Sequence, residues 1–244
     1  MLVTAAVCLL LAACTNHDEP RDLSDPDGSG GATGQVASPG AESTTTTTPP
    51  VEKITVAGDS ISVGLGASLR EAVDEDVTVK VIGEVGTGLA RPDDFDWPER
   101  LRRLARDYPP DVLLFSLSSN DAQDLVDEKG KVVASYSDTE AWDAEYSARL
   151  AESFDAFENS DTKVLWVGHV RSKVNKVGLT NRHIQQLAEQ VASTRPWVTV
   201  QDLATILGTG DNVAKTCLVA DGLHLNTDCL DLAAAKLVTV PPIA

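Results

Sequence analysis

The chain has 244 residues and a formal charge of −17, from 20 basic and 37 acidic side chains. A balance this acidic argues against nucleic acid or an anionic membrane surface as a partner. Neither the cysteines nor the histidines fall in a zinc-ligating spacing, so neither a metal nor another cofactor is expected.

Residues 1–14 read as a targeting segment, which has no part in the fold. Their apolar stretch is too short to span a bilayer. Leu11-Ala12-Ala13-Cys14 resembles a bacterial lipobox, in which Cys14 becomes the lipidated first residue of the mature protein. The expectation is an exported, membrane-anchored protein facing the outside or the periplasm, touching the membrane through its lipid only. An ordinary cleaved signal peptide that happens to contain Cys14 is the alternative.

Residues 15–52 are Gly, Ser, Thr, Pro, Asp and Glu with almost no large apolar side chains. Such a segment cannot bury enough surface to offset its ordering entropy, so it reads as a disordered linker. As a flexible tether it spans roughly 35 Å root-mean-square. The remaining residues, 53–244, are about 190 in number, enough for one domain with a good core. A monomer is the expectation.

Apolar strand candidates recur at 54–57, 77–82, 112–117, 164–167 and 197–200, with helical patterns at 63–73, 98–108, 139–157 and 179–194. Strands alternating with helices of this length imply a parallel sheet covered on both faces. The near-continuous apolar strands agree, because such strands are buried on both sides. Asp138 or Thr139 is placed to cap the third helix and Thr180 the fourth. Residues 123–137 form a long loop with a small hairpin around Glu128-Lys129-Gly130-Lys131. In open α/β sheets ligands bind beyond the carboxyl ends of the strands, the edge where Ser60, Gly88, Asn120 and His169 fall.

Three segments on that edge carry chemistry. Gly58-Asp59-Ser60-Ile61 follows the first strand, Ser118-Ser119-Asn120-Asp121 follows the third, and Asp221-Gly222-Leu223-His224 lies near the end of the chain. A serine at a strand-to-helix turn is by itself most often a helix cap. With an acid and an imidazole three residues apart downstream, it reads as a nucleophile with its base and orienting carboxylate.

These blocks, in this order, resemble the SGNH/GDSL hydrolase superfamily. The first block is normally Gly-Asp-Ser-Leu and here ends in Ile61. The third is normally Gly-x-Asn-Asp and here begins with Ser118. The last, Asp-x-x-His, is matched by Asp221 to His224. The stretch from Thr87 to Pro98 is similar to a narrower, poorly characterised bacterial envelope branch. The resemblance implies a three-layer α/β/α sandwich of flavodoxin-like topology with a five-stranded parallel sheet. It also implies Ser60 as nucleophile, His224 as base and Asp221 as its partner. Oxyanion donors would be the N–H of Ser60, the Asn120 amide and a glycine of the second block, here within Gly83-Glu84-Val85-Gly86-Thr87-Gly88. Five residues on from Gly83 that glycine is Gly88, with Gly86 as the alternative.

Asp59 and Asp121 are expected to brace loops. Arg91, Trp97 and His169 are candidates to line an acyl or sugar pocket, with packing or surface roles equally open. His183 reads as structural. In an exported protein a bridge between Cys217 and Cys229 is the expectation, and two separate buried thiols the alternative. The implied activity is acyl-ester cleavage on a small-molecule or carbohydrate substrate. O-acyl transfer to a polysaccharide and a non-catalytic carbohydrate-binding or scaffold role are the alternatives.

Overall fold

The computed structural model describes residues 50–208 and 216–244. The stretch read from sequence as a targeting segment with Cys14, and all of the expected linker before residue 50, lie outside them. The elements run β1 (Lys53–Gly58), α1 (Ser60–Ala72), β2 (Thr78–Val81), α2 (Trp97–Asp107), β3 (Val112–Ser116), β4 (Leu125–Val126), β5 (Val132–Ala134), α3 (Thr139–Asp155), β6 (Lys163–Gly168), α4 (Asn175–Ala192), β7 (Val198–Asp202), α5 (Leu203–Ile206) and α6 (Thr227–Leu237).

Five strands form one parallel sheet in the order β2-β1-β3-β6-β7. Successive side chains of a strand face opposite layers, and both layers here are apolar. Ala57, Leu113, Phe115, Val164 and Trp166 pack with Leu101, Leu150, Phe154 and Ile184 from α2, α3 and α4. Ile54, Val56, Leu114, Leu165 and Val167 pack instead with Leu65 and Leu69 of α1 and Ala233 and Leu237 of α6. This is the expected three-layer sandwich. Its strand order reverses between β1 and β3, and in doubly wound sheets that crevice is where ligands bind.

Two helices lack a counterpart in the sequence reading. The short α5 is capped by the Asp202 carboxylate, and α6 by Asn226, whose side chain accepts from the Cys229 N–H at 3.0 Å. Asp138 caps α3 as anticipated. Thr180 does not cap α4: that helix begins at Asn175 without a side-chain cap, and Thr180 lies within it, donating to the Lys176 carbonyl. A threonine hydroxyl satisfies a preceding carbonyl inside a helix as readily as it caps one. The hairpin forms as an antiparallel pair of β4 and β5.

Candidate active site

The turn between β1 and α1 is shaped by a close approach of two strands. A Cβ on Gly58 would stand 1.8 Å from the Ser116 carbonyl oxygen, and its φ of +135° lies outside the range of other residues. Asp59 follows and caps α1, its Oδ1 accepting from the Ile61 N–H at 3.0 Å. Ser60 is therefore the first residue of a helix, beside N–H groups that have no partner within it.

Ser60 Oγ lies 2.8 Å from His224 Nε2, and His224 Nδ1 lies 2.7 Å from Asp221 Oδ2. The carboxylate only accepts, so Nδ1 carries the proton and the Nε2 lone pair faces the serine hydroxyl. The other oxygen of Asp221 accepts from the backbone N–H groups of Leu223 and His224. These three donors, led by the imidazole, pull the Asp221 carboxyl down to about 2.

Asp221 and His224 occupy a loop, and its anchors are visible. A disulfide joins Cys217 to Cys229, Leu218 bridges Leu225, and the Asn226 N–H donates to the Cys217 carbonyl. The Gly222 carbonyl accepts from Ser172 Oγ and from the Lys173 N–H, tying the loop to the segment after β6.

Beneath the serine lies a buried polar network. Ser116 Oγ donates to the Val167 carbonyl at 2.7 Å, so it must accept from His169 Nε2–H at 3.0 Å. Burial disfavours the imidazolium, and in the neutral ring Nδ1 accepts from Ser119 Oγ at 2.7 Å. The imidazole is uncharged, as its burial favours, and the Asp59 carboxyl 3.7 Å away is pushed up by the same desolvation. Asn120 Nδ2 donates to the Thr87 carbonyl at 2.8 Å and lies 3.5 Å from Asp59 Oδ2.

Asp121 is fully buried, accepting from the Ala90 N–H at 2.8 Å and from the Tyr146 hydroxyl at 2.7 Å. Burial raises its carboxyl to about 6. Arg149, also buried, donates to the carbonyls of Leu89 and Val126 and so clamps the second-block loop to the hairpin. Sequence reasoning missed Tyr146 and Arg149. The available signal was an arginine beside Leu150 on the apolar face of α3, a position an unpaired charge does not occupy.

The second-block glycines separate clearly. Gly86 is exposed, with nothing within 4 Å of where a Cβ would stand. Gly88 is buried against the third block, where a Cβ would come within 2.0 Å of Asp121 Oδ1. Gly83, not singled out from sequence as a site residue, presses on α1, with Ser62 Oγ 2.6 Å and the Gly58 carbonyl 3.3 Å from the Cβ position.

The three pocket candidates sit in different surroundings. Trp97 is wholly buried: its Nε1–H donates to Thr87 Oγ1, and its ring packs on Phe95 and Phe115. His169 has no exposed side-chain surface and serves the network just described. Arg91 is exposed but held in a two-pronged pair with Asp93, a residue two positions away. Core packing surrounds the Trp97 indole, the polar network surrounds the His169 imidazole, and a local carboxylate holds the Arg91 cation.

Residues 53–226 match the family DUF459, described as a protein of unknown function, and the chain belongs to that family. No curated protein matches the sequence. Among solved structures, a member of the lipolytic protein G-D-S-L family from Veillonella parvula is 18% identical, with a TM-score of 0.56 over 78% of this chain and 97% of that one. A catalytic mutant of an acetylxylan esterase from Geobacillus stearothermophilus is 15% identical, with a TM-score of 0.53 over 79% of this chain and 94% of that one. The C-terminal catalytic domain of a peptidoglycan O-acetyltransferase from Streptococcus pneumoniae is 10% identical, with a TM-score of 0.53 over 78% and 92%. The chain thus has the SGNH/GDSL hydrolase fold.

Proposed function

We propose that this protein is an exported serine esterase of the SGNH type that removes a small acyl group from an envelope or extracellular carbohydrate. The unbroken hydrogen-bonded line from Ser60 through His224 to Asp221 carries the reading. Ser60 Oγ attacks the ester carbonyl while its proton passes to His224 Nε2, and Asp221 stabilises the imidazolium. The oxyanion is met by the N–H of Ser60, the N–H of Gly88 and the Asn120 amide. The alcohol departs with the proton from His224, leaving an acyl-enzyme. Water, deprotonated by His224, then releases the acid and restores Ser60.

The substrate class is supported by likeness of fold to the acetylxylan esterase and the peptidoglycan O-acetyltransferase domain. Export and anchoring through Cys14 are supported by the lipobox pattern alone. A fluorophosphonate probe should label Ser60, and the protein should release acetate from an acetylated saccharide, with a chelator changing neither. Labelling that persists in Ser60→Ala would sink the mechanism. Capture of the acyl group by an added saccharide in preference to water would reassign the activity to transfer. Cys14→Ser in the native host should leave the membrane fraction or remain uncleaved.

A further inference from the structure

Between the first turns of α3 and α4, on the same carboxyl edge of the sheet as Ser60, lies a cleft of about 270 Å³ that the ester chemistry leaves unused. Its floor is aromatic. The Trp142 indole stacks on Tyr146 at 4.6 Å and 9°, and its Nε1–H donates to the Gln123 carbonyl, so the ring is fixed. Tyr136, partly exposed, meets that indole edge-on at 6.0 Å and 88°, while the indole itself is buried at 3% exposure. Leu179, 49% exposed, adds an aliphatic wall.

The polar groups stand around this corner. Thr180 Oγ1 donates to the Lys176 carbonyl and must therefore accept from the Tyr136 hydroxyl at 2.6 Å. The phenol oxygen keeps its lone pairs for another donor. His183 Nε2 pairs with Asp143 Oδ1 at 2.6 Å, and both side chains are partly exposed, at 37% and 30%. The cleft thus offers the partly exposed Tyr136 ring and the Leu179 side chain over a buried indole, with acceptors and an imidazole at its rim.

Charge narrows the occupant. Lys176 Nζ already lies 4.2 Å over the Tyr136 ring, which fills the cation position there and repels a second cation. The partly exposed Asp143 carboxylate opposes an anion. A neutral ring with an apolar C–H face and a rim of hydroxyls satisfies both limits.

The cleft is also wired to the third block. Gln123, which holds Trp142, donates from Nε2 to the Asn120 carbonyl at 2.6 Å. Asn181, next to Thr180 on α4, donates to the Val170 carbonyl at 3.1 Å and reaches Ser119 Oγ at 3.4 Å. A ligand seated here is held in fixed register with the proposed oxyanion donor.

We propose that this cleft is a saccharide subsite that binds one uncharged sugar ring of the carbohydrate whose acyl group Ser60 removes. The inference rests on the esterase reading for the identity of the ester, but its test does not need turnover. The Ser60→Ala protein is titrated with xylotriose and with chitotriose, and with trigalacturonate as an anionic counterpart. The Trp142 indole N–H resonance reports on the cleft. At least one neutral trisaccharide should shift that resonance saturably, and trigalacturonate should not. Tyr136→Ala should weaken binding at least tenfold. Leu179→Glu, at an exposed position that leaves folding intact, should do the same by adding a charge. Absence of a saturable shift with both neutral sugars, or unchanged affinity in both variants, overturns the subsite. Sugar binding at Trp142 without labelling of Ser60 in the wild type would leave the subsite standing and remove the esterase. Acetate release without a shift at Trp142 would do the reverse.

Discussion

Two aspartate–histidine pairs share this site and are held in opposite ways. The side chains of His224 and Asp221 are 39% and 48% exposed, whereas those of His169 and Asp59 have no exposed surface at all. Near solvent, an imidazole and two backbone N–H groups dominate, and Asp221 stays ionised down to about 2. In the interior desolvation dominates, raising Asp59 and keeping His169 neutral. On the proposed esterase reading, identical residue types divide the work: the outer pair moves a proton, and the inner pair holds the turn and the third block in place.

The sharpest way to break this comparison is to remove one histidine from each pair. His224→Ala should lower turnover of a short aryl ester by on the order of 10⁴–10⁶ while the melting temperature stays nearly constant. An active His224 variant would end the proposed division. Asn120→Ala should cost about 10²–10³ in kcat, the usual effect of deleting one oxyanion donor. A rate within tenfold of wild type would remove the amide from the hole.

Breaking the disulfide probes how much the outer pair depends on its loop. Cys217 and Cys229 are 12 positions apart, and a loop that short contributes roughly 3 kcal/mol in the chain-entropy model. The Cys217→Ser/Cys229→Ser variant should melt lower by about 6–12 °C. It should also lose turnover at temperatures where it remains folded, because the proposed acid–base pair, Asp221 and His224, sits within the closed loop. Full activity in the folded variant would show that the Gly222 contacts hold the loop alone.

His169→Leu should do the converse of His224→Ala. It leaves the Ser119 hydroxyl without its acceptor, for about 1–3 kcal/mol of stability, with a rate loss below tenfold. A loss of several decades with unchanged stability would place His169 in the chemistry instead.

The smallest effect is read in pH. Between pH 4 and 6 the native protein keeps a proton on Asp121 that the unfolded chain releases. That carboxyl's contribution to stability is complete below about pH 4 and is lost as pH rises through about 6. Asp221, depressed to about 2, contributes oppositely: its share is present above about pH 4 and is lost as pH falls toward 2. The stability of wild type relative to Asp121→Asn, read from melting curves across pH 4–7, should therefore fall as pH rises, because only the wild type loses this contribution, on the order of 1–3 kcal/mol. Parallel curves would show that Asp121 does not titrate there.

Much of the fold was legible because it rests on local rules. Apolar strands such as Val112–Ser116 alternate with helices of suitable length, and that rhythm admits little besides a parallel sheet with two covered faces. Ser60, Asp221 and His224 could be named from motif order, and Asp138 as a cap from residue type. The start of α4 was missed because the helix begins at Asn175 without a side-chain cap, while Thr180 offered a misleading capping signal. The α6 helix was missed because its stripe is short and built largely of alanine.

What the sequence alone determined is therefore the layered sheet and the identity of the hydroxyl, imidazole and carboxylate that meet at its edge. Only the tertiary structure decided environment. It buried Trp97 and His169, exposed His183 in an aromatic cleft, separated Gly83, Gly86 and Gly88, and set Asp59 and Asp221 on opposite sides of their ordinary ionisation. The reason is physical. Periodicity and motif spacing are properties of neighbours along the chain, whereas desolvation and hydrogen-bond satisfaction depend on which distant segments come to surround a group.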